Sequence, residues 1–225
     1  LIAKLQDKNG KVTIPNFYKD VLKLTKKEKD NFAGLKFSDK EYAKELGVKM
    51  LQGEKGFSTL ERIWTRPTLD CNGIYGGFTG EGAKTVLPSK ASAKISMRLV
   101  PDQAPEKIAA EFTKYVKSLV PESIKVKITN LHGGYPIFIP LEEKAIKTAA
   151  KAVSKAYGKK TVFTREGGSI PIVVEFVKQL KAPAVLMGFG LDSDNIHSPD
   201  EHFVLDNFEK GIYSSIYFLE EFAKS

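Results

Sequence analysis

Hydrophobic and polar positions follow two rhythms along this chain, and the change between them falls near residue 135. Lys94-Ile95-Ser96-Met97-Arg98-Leu99-Val100 alternates with a period of two, so Ile95, Met97 and Leu99 share one face and Arg98 lies on the other. Residues 72–78 and 91–100 are therefore expected to be extended, joined through the glycine-bearing stretch 80–88, and 124–129 alternates in the same way. Between them, residues 105–119 carry helical spacing, with Ile108, Phe112, Tyr115 and Leu119 on one side. The order strand, strand, helix, strand follows residues 1–5, which read as the tail of an amphipathic helix. That order predicts a ferredoxin-like α+β layer lacking its first strand.

The first sixty-odd residues are less regular. A turn is expected at Lys8-Asn9-Gly10, and Val12-Thr13-Ile14 is a short extended piece ended by Pro15, which has no N–H to give to a ladder. The spacing predicts a helix over 38–46, with Ser38 as its cap, Glu41 three residues on as in a capping box, and Gly47 at its end. Beyond Pro140 helices and strands alternate. Helices are expected over 141–157 (stopped by Gly158), 170–180 and 207–223, with a short strand at 161–164 and a fully buried one at 184–189. Such alternation predicts an α/β layer with a partly parallel sheet. Two domains, 1–135 and 136–225, are thus expected to meet at Gly133-Gly134-Tyr135-Pro136.

Composition narrows the function. With 42% hydrophobic and 28% charged residues the chain is that of an ordinary globular protein. No apolar run approaches the roughly 20 residues of a membrane span, so no membrane partner is expected. The opening Leu1-Ile2-Ala3-Lys4-Leu5 has neither an initiator Met nor the layout of a signal peptide. The single Cys71 excludes an internal disulfide and fits a reducing, cytoplasmic setting. A net charge of +8 invites a nucleic-acid reading, yet the lysines of 23–29 are mixed with acid and only four residues are arginine. That mixing points to a solvated face and to no nucleic-acid partner.

Three places carry candidate chemistry. His197 lies in an acidic, turn-rich run from Asp192 to His202, just beyond the apolar stretch 184–189. Ligands of open α/β sheets bind outside the carboxyl ends of strands, where an imidazole can offer one nitrogen to a metal. Spacing alone leaves equally open that His197 merely packs the loop. His202 follows at i+5 rather than the i+4 of a helical zinc motif, and reads as an exposed residue before the last helix. The run Thr164-Arg165-Glu166-Gly167-Gly168-Ser169-Ile170-Pro171 joins a strand end to a helix start. Free backbone N–H groups there can bind an anion, and the glycines admit close approach, while Ser169 alone would suit a cap. Arg98 can fork onto a carboxylate or pair across the sheet, and Thr85 adds a hydroxyl in the glycine-rich connection.

The combination says more than its parts. Gly82-Ala83-Lys84-Thr85-Val86-Leu87-Pro88, Ser96-Met97-Arg98-Leu99-Val100-Pro101, the Arg165–Pro171 run and Ile196-His197-Ser198-Pro199-Asp200-Glu201 occur in this order. The set resembles the M20 family of dinuclear zinc metallopeptidases, in particular its cytosolic dipeptidase branch typified by carnosine dipeptidases. Val12-Thr13-Ile14-Pro15-Asn16-Phe17-Tyr18 is also similar to that branch. The resemblance runs over essentially the whole chain.

The resemblance implies a lid (dimerisation) domain over 1–135, incomplete at its start, and the closing part of an α/β zinc-peptidase catalytic domain over 136–225. It makes His197 a ligand of one of two zinc ions and Arg98 the grip on the substrate's terminal carboxylate. Thr85 would reach into a partner's active site in a homodimer formed through the lid, and Glu166, Gly168 and Ser169 would line the pocket for a dipeptide. In such enzymes the zinc pair activates a shared water and a glutamate takes its proton. The family's His-x-Asp, bridging Asp, Glu-Glu pair, further acidic ligand and lid His-Ser-Gly segment have no counterpart here. The chain is thus expected to be the C-terminal half of a longer dipeptidase, inactive by itself, with no catalytic base of its own. An amino-acid deacylase of the same family, or a non-catalytic dimerisation module, are the alternatives.

Overall fold

The computed structural model describes residues 1–165 and 170–224. It divides into two compact units, Leu1–Ile137 with Thr164–Pro171, and Phe138–Phe163 with Ile172–Ser225.

The first unit begins with a single 3₁₀ turn, Ile2–Lys4, where the tail of an α-helix was expected. The turn at 7–10 is an Asx turn: the Asp7 carboxylate accepts from Asn9 N–H (2.8 Å) and Lys11 N–H (3.0 Å), which holds its pKa below the usual carboxylate value. Gly10 takes φ +74°, and a Cβ there would stand 2.7 Å from the Gly53 carbonyl oxygen, so both conformation and space demand glycine. Gln6 and Val12 form an isolated antiparallel bridge. Three short helices follow. In α1 (Lys26–Ala33) Thr25 and Glu28 form a reciprocal capping box; in α2 (Asp39–Glu45) Ser38 accepts from Glu41 N–H as expected; in α3 (Thr59–Thr65) Ser58 and Glu61 repeat the box. Behind α3, Arg66 forks onto Glu54 at 2.7 and 2.8 Å and stacks on Tyr18 and Phe57.

Strands β1 (Asp70–Gly76) and β2 (Ala91–Ser96) pair antiparallel from Asp70↔Ser96 to Gly76↔Ala91, with an irregularity between Cys71 and Gly73. Helix α4 (Pro105–Leu119) opens with Pro at its first position, where the missing N–H costs no bond. Its Ile108 and Val116 close a core with Leu5, Val12, Ile14, Phe17, Leu69 and Leu99. Buried Gln103 ties this core together: its oxygen accepts from Val100 N–H (2.9 Å) and its amide donates to Phe17 O (2.7 Å). The strand expected at 124–129 is not formed: Ile124 is a bend and 125–129 have no regular structure. Ile128 packs on the core, but Ile124 and Val126, which alternation would place on the same face, are exposed, and no described residue forms a ladder with the segment.

The second unit is helical. Helix α5 (Lys144–Tyr157) ends at Gly158 in the left-handed conformation, as its position after Tyr157 predicts. Helix α6 is Pro171–Leu180 and α7 is Leu205–Ala223. Helices α5 and α7 pack together, with Ala145, Thr148, Ala149 and Ala152 buried on α5 and Gly211 and Ser214 on α7; Gly211 lies against the ring of Phe189. Small side chains let the two backbones approach closely. The expected strands at 161–164 and 184–189 are not formed. Thr161 instead binds α5, donating to Ala150 O at 2.7 Å. The segment 184–189, expected to be fully buried, leaves Leu186 55% exposed. A buried strand requires a partner on each side, and no described residue supplies one.

Candidate functional site

The loop that carries His197 is built around one carboxylate. After the 3₁₀ turn Asp192–Asp194, the chain passes through left-handed Asn195 (φ +53°), His197 (φ +62°) and Asp200 (φ +60°). Three such residues within six positions concentrate strain, since a residue with a Cβ seldom adopts this conformation. Asp194 holds the loop: its N–H donates to Leu191 O (3.0 Å), its Oδ2 accepts from Leu191 N–H (2.8 Å), and its carbonyl accepts from His202 N–H (3.0 Å). A further turn bond runs from Ser198 N–H to Asn195 O at 2.9 Å. The His197 imidazole is exposed and has no hydrogen-bond partner among the described residues, so it does not pack or cap the loop. His202 is exposed as expected and directs Nδ1 at Asp200 O (3.0 Å), three residues before α7 begins.

In the first unit, Arg98 lies two residues beyond β2 rather than in the middle of a strand. Its carbonyl still accepts from Thr68 N–H (3.0 Å), so extended pairing continues past the regular ladder. Its side chain is exposed while Leu99 is buried, in keeping with the alternation. Thr85 is exposed at the centre of a γ-turn closed by Val86 N–H to Lys84 O (2.9 Å). No hydrogen bond among the described residues joins Thr85 to Arg98. Glu166, Gly168 and Ser169 lie outside the described residues.

One contact beside that last group escaped sequence reasoning. Arg165 pairs with Glu28 at 2.5 Å, both side chains nearly buried, across 137 positions of sequence. Burial works against the Glu28 charge. Hydrogen bonds from Thr25 N–H and Oγ1–H, with the Arg165 guanidinium, outweigh it and hold the carboxyl below its ordinary pKa. The capping box at Thr25–Glu28 was a visible signal for the helix end, but nothing in the sequence marks its second partner.

Among the described residues no three His, Cys, Asp or Glu side chains come together to hold a metal ion, and no helix is long and apolar enough to cross a membrane. His197 therefore offers a single donor, fewer than the four ligands zinc takes in proteins.

Known proteins place this geometry in context. Residues 1–124 match the family model described as the peptidase dimerisation domain of M20 enzymes. The Cys-Gly metallodipeptidase of Schizosaccharomyces pombe is 32% identical over 226 residues, 99% of this chain and 48% of that protein. An M20 family metallo-carboxypeptidase from Sulfolobus solfataricus superposes with a TM-score of 0.84 at 30% identity, covering 97% of this chain and 50% of the other. The Saccharomyces cerevisiae dipeptidase superposes with a TM-score of 0.82 at 31% identity, covering 100% and 47%. The chain spans about half the length of the curated relatives it matches. The chain therefore belongs to the M20 family of peptidases, its first 124 residues being the part that matches the family's dimerisation domain.

Proposed function

We propose that this chain is the C-terminal half of a cytoplasmic, zinc-dependent dipeptidase, with residues 1–135 as its dimerisation lid and 136–225 as the end of its catalytic domain. In this reading His197 is a ligand of one of two zinc ions and Arg98 holds the free carboxylate of the dipeptide. Thr85 reaches toward the partner's site in a homodimer, and Glu166, Gly168 and Ser169 line the substrate pocket. The observation that carries it is His197: an exposed imidazole without a protein partner, on a left-handed residue, in a loop pinned from within. Backbone strain is kept where a fold over-determines it, and such places cluster at functional sites. The relatives named above, a metallodipeptidase and a metallo-carboxypeptidase among them, support a metal-dependent peptidase.

The zinc pair would supply an activated water and a polarised carbonyl. The described residues do not make that site by themselves, so no chemical step is assigned to them; their part is to bind and to position. The test is hydrolysis of Cys-Gly, and of longer peptides, by the full-length protein containing this chain, before and after metal removal. The expected result is dipeptide hydrolysis lost on chelation and restored by zinc. Cleavage of longer peptides alone would move the assignment to a carboxypeptidase, and chelator-insensitive hydrolysis would overturn the metal reading.

A further inference from the structure

One oxygen buried in the His197 loop has no hydrogen-bond partner among the described residues. Asp194 is 1% exposed, and while its Oδ2 accepts from Leu191 N–H, its Oδ1 makes no hydrogen bond among the described residues. Burying a carboxylate with one oxygen unmet is unfavourable unless a donor or cation stands against it. The basic side chain that faces it is His202, whose Nε2 lies 4.0 Å from Oδ1. The other ring nitrogen, Nδ1, is 3.0 Å from the Asp200 carbonyl. A carbonyl only accepts, so Nδ1 carries the hydrogen, and this bond turns Nε2 toward Asp194. At 4.0 Å the two atoms are too far apart for a hydrogen bond, and the contact is an ion pair only when the ring carries both protons.

Asp194 thus joins both ends of the loop, Leu191 at its entry and His202 at its exit. The strained residues Asn195, His197 and Asp200 lie between these anchors. We propose that Asp194, with His202 closing on its second oxygen, is the positioning residue that presents the His197 imidazole for metal binding. The inference rests on His197 being a metal ligand, and neither Asp194 nor His202 is itself assigned to the metal. Residues that orient a ligand from behind typically change metal affinity by about 10–100-fold when altered.

The experiment compares Asp194→Asn, His202→Gln and His197→Ala in the full-length protein. Zinc affinity is read by competition with a chelator, and ligand geometry by the visible spectrum of the cobalt-substituted protein. Asp194→Asn keeps the acceptor for Leu191 N–H but loses the charge, and should weaken zinc about 10–100-fold and alter the cobalt spectrum. His202→Gln should act in the same direction by a smaller factor. Zinc binding unchanged in His197→Ala would remove the ligand reading and this inference with it. Zinc binding weakened by His197→Ala but untouched by the other two would overturn this inference alone. Should Asp194→Asn fail to fold, the exposed His202→Gln decides: weakened zinc supports the positioning role, and wild-type affinity contradicts it.

Discussion

The two units bury opposite kinds of residue. The first builds its core from large side chains drawn from distant parts of the chain, Leu5, Phe17, Leu69 and Leu99 with Ile108 and Val116 of α4. The second buries mostly small ones, alanines of α5 with Gly211 and Ser214 of α7, and leaves most of its large ones outside, Val173 of α6 being buried. On α7, Leu205, Phe208, Ile212, Ile216, Leu219 and Phe222 form one helical stripe, with Leu205 82% and Leu219 66% exposed. A helix apolar on two sides is made to be covered on two sides. The first unit carries a core of large side chains, whereas the second leaves the apolar stripe of α7 exposed. On the reading proposed above, in which this chain is the C-terminal half of a dipeptidase, the rest of that protein would cover the open stripe of α7.

The comparison can be broken at several points, the largest first. Phe17→Ala should destabilise the first unit by about 3–5 kcal/mol in urea denaturation, because it empties the centre of a core that cannot readily collapse. A loss below 1 kcal/mol would mean that this core is loosely packed. Glu28→Gln should cost about 1.5–3 kcal/mol at neutral pH, since it leaves Arg165 without its carboxylate. The Glu28 carboxyl has a folded pKa below the unfolded value of about 4.3. Its stabilisation is therefore present above that value and fades as pH falls through the folded one. Wild type and variant should converge in urea midpoint as the pH falls below the folded pKa of Glu28; a gap that persists in acid would assign the effect to shape rather than charge.

In the second unit, Ala152→Leu should cost about 1–3 kcal/mol by forcing α5 and α7 apart, read as a lower thermal midpoint. The smallest effect sharpens the contrast most. Leu219→Ser should change the stability of this chain by less than about 0.5 kcal/mol, because the side chain is already mostly in water and little buried apolar area is lost. In the full-length protein the same substitution should cost several times more. Equal effects in the two would deny that the stripe is covered.

Helices were legible where periodicity and punctuation agreed. Residues 105–119 form α4 as spaced, bounded by Pro105 at one end and Val120-Pro121 at the other. Residues 141–157 lose three residues at their start, where Glu143 N–H turns back to Pro140 O. Helix α3 carries its start signal in the sequence, the capping box Ser58-Thr59-Leu60-Glu61, although the irregular pattern of the first sixty-odd residues predicts no helix there. The strands at 124–129, 161–164 and 184–189 failed for a different reason. Alternation and apolarity describe one segment, but a strand exists only with a second, and these segments have none among the described residues. In the candidate site, the exposure of Arg98 followed from alternation with Ile95, Met97 and Leu99. The left-handed backbone at His197 and the burial of Asp194 did not. Nothing in sequence separates Asp194 from Asp192 or Asp200, since only the folded loop selects which carboxylate turns inward.

The most direct test of the account is the zinc content of the full-length protein containing this chain, wild type against His197→Ala, measured after exhaustive dialysis. The account predicts that the variant retains less zinc per chain than the wild type and loses most of its dipeptide hydrolysis. Equal zinc content with unchanged turnover would contradict the assignment of His197 and the functional reading built on it.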